Sequence, residues 1–218
     1  MSSRKKIVLW LLVILIAWIL TDLFYPFKRD ISRFNAADTA HMDAAMWRSY
    51  YEKKKLKLFF QSATLLREQF HFPFWRSHLV SYYVAKAAFV FKDGKDRNDY
   101  NKALPYLEKY FNHINAICLV KFNADSAAKT ELEWWIIRRE RDKHLPAEWE
   151  TWLAATASVM YHLPAETFSE YARLRVQAML LRDDKGDAIT EKDWNEISEI
   201  LLRAWQSFAK AVAGNTWP

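Results

Sequence analysis

From Ile7 to Leu20 the sequence contains no polar residue, and Arg4, Lys5 and Lys6 stand directly before that run. Crossing about 30 Å of hydrocarbon takes roughly 20 helical residues. Leu23, Phe24, Tyr25, Pro26 and Phe27 carry the apolar character past a lone Asp22. Residues 7–27 are therefore read as a transmembrane anchor behind a basic cytoplasmic tail, 1–6, with Asp22 near an interface and hydrated. A cleaved signal peptide shares the basic start and apolar middle, but its cut site asks for small residues, and Leu20-Thr21-Asp22-Leu23-Phe24 offers none. A buried core helix is the other reading of the same run. The three cations place the N-terminus in the cytoplasm and the chain from residue 28 in a periplasmic or other extracytoplasmic space, while Lys28 and Arg29 act against that orientation.

Behind a linker, 28–34, the remaining sequence reads as one helical domain, 35–213, followed by a tail, 214–218. The chain has 218 residues and 51% hydrophobic content, enough for one sizeable core. Only 3 glycines and 6 prolines accompany 11 Trp, 10 Tyr and 14 Phe, which suits long helices with large aromatic contacts. The expected fold is all-α: an N-terminal transmembrane helix and then an antiparallel or irregular multi-helix bundle. The formal charge is +6, and setting aside Arg4, Lys5, Lys6 and Asp22 leaves 29 basic against 25 acidic residues with interspersed signs. Such a surface gives no continuous stripe for phosphates, so nucleic acid is not an expected partner. The lone Cys118 excludes an intrachain disulfide and reads as buried packing.

Asn35 is expected to cap a single long helix reaching Phe70, with Met42, Met46, Leu56, Phe60 and Leu66 on its inner side and Glu52-Lys53-Lys54-Lys55 on its solvated side. Phe72-Pro73 permits a sharp turn into a second helix, and 92–98 is the clearest loop. The early turns of the next helix are irregular around Pro105. Ile117–Phe122 has strand propensity but no partner strand, so helix followed by turn is preferred. Asn123 or Asp125 starts a further helix. His144-Leu145-Pro146-Ala147-Glu148 recurs as His162-Leu163-Pro164-Ala165-Glu166 and suggests two consecutive helix starts, the second running from Pro164 to about Leu181. Thr190 with Asp193 opens a strongly amphipathic final helix. The stretch from Tyr82 to Phe111, with Ala85, Ala88, Phe89, Gly94, Tyr100, Ala103, Leu107 and Tyr110, resembles one tetratricopeptide-type helical hairpin. The chain lacks three successive 34-residue units of that kind, so no continuous repeat groove is implied.

Candidate chemistry is sparse. Asp38, His41 and Asp43 share the start of the long helix, and Glu68-x-x-His71 lies near its end. Both spacings suit a metal locally, but on one straight helix the pairs stand about 45 Å apart. No metal and no cofactor is expected. Glu131 and Arg138 are the remaining weak catalytic candidates, and Glu131, Glu133, Asp38, Asp43, Arg173 and Arg175 form a possible buried ion network. Trp47, Tyr50, Tyr51, Trp75, Trp134, Trp135 and Arg139 are candidates for contacting a ligand or partner, Arg139 and the tryptophans through an anionic headgroup and its apolar part. The expected function is a single-pass membrane-anchored accessory or interaction protein with an extracytoplasmic helical binding domain. Its partners would be the lipid bilayer and a membrane or envelope protein. The alternative is a membrane-tethered enzyme acting on a hydrophobic substrate, with or without the assistance of a metal. Polar groups converging on an open cavity favour the enzyme, and a closed ion network beside an external aromatic patch favours binding.

Overall fold

Few glycines and prolines interrupt the sequence, and the computed structural model is helical almost throughout residues 3–213, the part of the chain it describes. The tail 214–218 and residues 1 and 2 of the basic tail lie outside the described residues. Helix α1 (Ser3–Phe24) is long and apolar enough to cross a membrane. Ile7, Leu11, Ile14 and Trp18, on successive turns, are 59%, 62%, 61% and 49% exposed. A helix apolar on every side with no protein around it has lipid as its natural solvent.

Only the C-terminal end of α1 touches the domain, and it does so against the start of α4 (Phe74–Asp93). Pro73 precedes α4 and has no side chain with which to cap it. Asp22 of α1 supplies the missing acceptor, taking the Arg76 backbone N–H at 2.9 Å. Arg76 returns the favour: its guanidinium donates to the Leu23 carbonyl and, at 3.1 Å, to that of Tyr25, at a helix end with no basic residue of its own. Each helix thus satisfies terminal backbone groups the other leaves open, with charges that suit both dipoles. Asp22 is 5% exposed and Arg76 2%, so the expectation of a hydrated Asp22 is corrected: it is enclosed because it caps a neighbouring helix.

Beyond this joint the helices form a ring. α2 (Ala36–Tyr51) packs on α3 (Lys55–Phe70), α3 on α4, and α4 on α6 (Leu104–Ile117), with the short α5 (Arg97–Asn101) between them. The order continues through α7 (Ala124–Arg139), α8 (Pro146–Tyr161), α9 (Ser169–Lys185) and α10 (Glu191–Ala213), and α10 closes onto α2. The amphipathic stripe of α10 makes that closure possible, because Ile197, Leu201, Ala204 and Val212 are all buried. The linker is drawn into the ring. Arg29 donates its N–H to the Ile117 carbonyl at 2.6 Å and accepts from Leu119 at 2.7 Å, giving one parallel bridge, and Phe34 lies against Phe70, Trp205 and Phe208.

Several helix starts follow the sequence closely. Asn35 accepts from the N–H groups of Ala37 and Asp38, Asn123 from Ser126, and Thr190 and Asp193 cap each other's backbone. The hairpin of α4 and α6 forms, with Gly94 so close to the Tyr100 ring that a Cβ would stand 2.8 Å from it. The single helix over 35–70 is corrected: it breaks at residues 52–54, where Lys53 turns left-handed at φ 60°. The break resets the helical phase, so Leu56 and Phe60, expected inward, are 77% and 56% exposed. The repeated pentapeptide also divides its roles. Before α8, the Leu145 N–H donates to Glu148 at 2.9 Å. His162 instead ends α8 in a left-handed conformation, and a 3-10 turn over Ala165–Phe168 delays α9 to Ser169 while it carries Phe168 into the core.

Candidate functional site

The ring holds a partly open cavity of about 260 Å³. Every ring helix except α2 lines it: Leu65 and Phe70 from α3, Val84 from α4, Tyr110 and Ile114 from α6, Glu131 from α7, Thr156 and Ala157 from α8, Tyr171 from α9, Trp205 and Phe208 from α10. Ile31 from the linker adds to one wall. Tyr110, Glu131, Tyr171 and Trp205 retain partial accessibility although protein surrounds them, because that area faces the cavity. The volume equals about nine waters, just under the usual range for small-molecule sites.

Glu131 is the carboxyl of this lumen. Burial raises its pKa, and three groups oppose that without cancelling it: the indoles of Trp134 and Trp135 and the charge of Arg175. Trp135 donates to Oε1 at 2.9 Å, and the Trp134 indole points at the same carboxyl without closing a bond of good geometry. Burial likewise pushes the Tyr110, Tyr161 and Tyr171 phenols up, so they remain neutral donors. Tyr161 donates to the Ile31 carbonyl at 3.0 Å. The Tyr110 hydroxyl has no hydrogen-bond partner among the described residues. The Glu131 carboxyl, whose neutral form burial favours, and the Tyr110 phenol stand on a mostly apolar wall, where they can donate to and accept from one polar group of a guest.

Behind the Trp205 and Tyr171 walls lies a closed ion pair. Arg175 donates to Asp43 Oδ2 at 2.5 Å, and the Trp205 indole donates to the same oxygen at 2.8 Å. Trp47, Tyr171 and Trp205 ring the guanidinium at 5.3, 5.6 and 6.0 Å from their centroids. Burial works against the Arg175 charge, and Asp43, Tyr171 and Glu131 together outweigh it. This pair fixes α2 to α9 and α10, with Oδ2 of Asp43 accepting from both Arg175 and Trp205.

Protein-family models, curated proteins and solved structures give no match. The residues themselves carry the interpretation. Of the network read from the sequence, Asp43, Arg175 and Glu131 converge, whereas Asp38 and His41 are exposed on α2, Arg173 pairs with Glu170 and Glu133 with Arg97. Arg138 reaches Asp183 at 3.1 Å and the Tyr51 hydroxyl at 3.2 Å. Tyr51 is covered by Arg182 and edge-on to the exposed Tyr50, while Arg139 lies over Phe91 and Tyr100. Trp75 packs on Trp18 of α1. No group of three His, Cys, Asp or Glu among the described residues could hold a metal ion. Cys118 is buried, and burial pushes its thiol up to about 12, which suits packing and not nucleophilic attack. The lumen tyrosines and Arg76 were not legible as site residues. Their only signal was a phenol or guanidinium on an otherwise apolar helix face.

Proposed function

We propose that this chain is a single-pass membrane-anchored accessory protein whose extracytoplasmic ring binds a small apolar ligand bearing one hydrogen-bonding group. The observation that carries this reading is Glu131, a carboxyl favoured in its neutral form, facing a cavity of about 260 Å³ with mostly apolar walls. Binding is favoured over catalysis because Asp43 is closed off by Arg175 and Trp205, and because among the described residues no hydroxyl or thiol donates to Glu131 in the lumen. Arg4, Lys5 and Lys6, on the first turn of α1 ahead of its apolar run, support an inside N-terminus. One feature supports the tethered-enzyme reading: a buried carboxyl of raised pKa is the form in which a general acid is kept.

The test is native mass spectrometry of the full chain purified in mild detergent, beside Ala157→Phe, which fills the lumen, and Tyr110→Phe, which deletes one hydroxyl. A bound small molecule is expected in the parent, absent from Ala157→Phe and weakened in Tyr110→Phe. A parent that carries no ligand and takes up no medium-chain alcohol or amide contradicts the proposal. Recovery of a chemically altered ligand would support the enzyme instead. Protease reaching the ring only from outside the cytoplasm checks the orientation.

A further inference from the structure

Phe74 and Trp75 open α4, and both rest on Trp18 of α1, with ring centroids 5.9 and 5.6 Å away. Trp18 stands one helical turn before Asp22, about 6 Å lower along the axis at 1.5 Å per residue. The polar joint begins at Asp22, so side chains touching Trp18 lie on its lipid side. Phe74 is still 39% exposed there. The aromatic surface continues from it: Phe74 is 4.6 Å from the His78 ring, and His78 is 6.2 Å from Phe60 of α3. Phe60 and Leu56, turned outward by the break at 52–54, extend the same face.

Cations border this face. The Arg67 guanidinium lies 5.4 Å over Phe74, Lys55 lies 4.9 Å over Phe89, and Lys57 is exposed on the first turn of α3. Along α3 and α4, besides the buried Arg76, Lys55, Lys57, Arg67, Lys86 and Lys92 stand against Glu68 and Asp93. An apolar face edged with Lys and Arg is the composition of an element lying in the headgroup region of an anionic membrane.

We infer that the α3–α4 corner is a second membrane contact, in which Phe74, Phe60 and Leu56 enter the leaflet holding the C-terminal end of α1 while Arg67, Lys55 and Lys57 meet its anionic headgroups. It rests on α1 spanning the membrane. The reciprocal caps of Asp22 and Arg76 fix the corner at this depth, so the contact forms at high effective concentration once α1 is inserted.

The experiment uses the full chain with Cys118→Ala in phosphatidylcholine–phosphatidylglycerol vesicles, carrying single spin labels through Leu15→Cys, Leu56→Cys, Phe60→Cys, Leu145→Cys or Leu180→Cys. Collisions with oxygen report lipid, and collisions with a nickel chelate report water. The Phe60 and Leu56 labels are expected to resemble Leu15, several-fold less accessible to nickel than Leu145 and Leu180. Replacing Lys55, Lys57 and Arg67 together by Gln should raise nickel access at Leu56 in the anionic vesicles and leave it unchanged in phosphatidylcholine alone. A Phe60 label as nickel-accessible as Leu180, with Leu15 in lipid, overturns the corner contact and leaves the anchor standing. A water-exposed Leu15 label overturns the anchor and this inference with it. A Phe60 label shielded from both reagents places protein on the face and also overturns it.

Discussion

Glu131 shows how one residue can carry a pH signature for the whole ring. Its folded pKa is raised by burial, so between the ordinary glutamate value and that raised value the native state holds a proton that the unfolded chain has released. Stability therefore falls as pH rises through this window. Glu131→Gln, which needs no proton to remain neutral, is expected to flatten that slope; thermal unfolding followed from pH 4 to pH 8 in detergent checks it, and an unchanged slope would assign the dependence elsewhere. The sequence allowed Asp43, Arg175 and Glu131 to be grouped because buried charges need partners. It did not allow Asp38 and His41 to be set aside, since only the phase of α2 decides which of its polar residues turn outward. The lumen itself was illegible for a related reason. Tyr110, Tyr161 and Tyr171 occupy ordinary core positions on their own helices and become a site only where those helices meet.

At the level of elements, the caps were readable because they are local. Asn35, Asn123 and the Thr190–Asp193 pair act within four residues of themselves. The break after Tyr51 was not, because a charged stretch looks the same on the wet side of a continuous helix as it does in a turn. The joint between α1 and α4 was hidden further, since Asp22 caps a helix 54 positions away. Asp22→Ala is expected to cost about 1–3 kcal/mol by leaving the Arg76 N–H without an acceptor. Asp22→Asn keeps an acceptor but loses the charge facing the buried guanidinium. Denaturant unfolding of both variants separates the two effects: a large loss in Ala with little in Asn identifies the cap, and equal losses identify the charge. Proteolysis near residues 24–30 should quicken in parallel with whichever variant loosens the joint.

For the whole molecule, the all-α class and the apolar first helix followed from composition and periodicity, and the ring did not. Amphipathic stripes state that each helix has a buried side, but not that the last stripe described here, on α10, is shared between α9 and α2. Ala44 and Ala204 lie in one apolar cluster at this seam, where small side chains let the helices approach. Ala204→Leu is expected to overpack the seam by about 1–3 kcal/mol and to loosen the proposed ligand site although the residue does not line it; the loss of ligand mass beside a lowered thermal midpoint would check this, and an unaffected site would show that the seam and lumen are independent. The closure also sets a schedule. α2 ends at Tyr51 and α10 begins at Glu191, so at ordinary rates of synthesis the two are separated by on the order of 10 s. During that interval the anchor can already be in the bilayer while the nascent domain is an open crescent, its future inner wall of Tyr, Trp and Phe bare. A chain built this way has a vulnerable period during biogenesis, when aromatic surface that will later line the lumen is available to the membrane, to other nascent chains or to a chaperone.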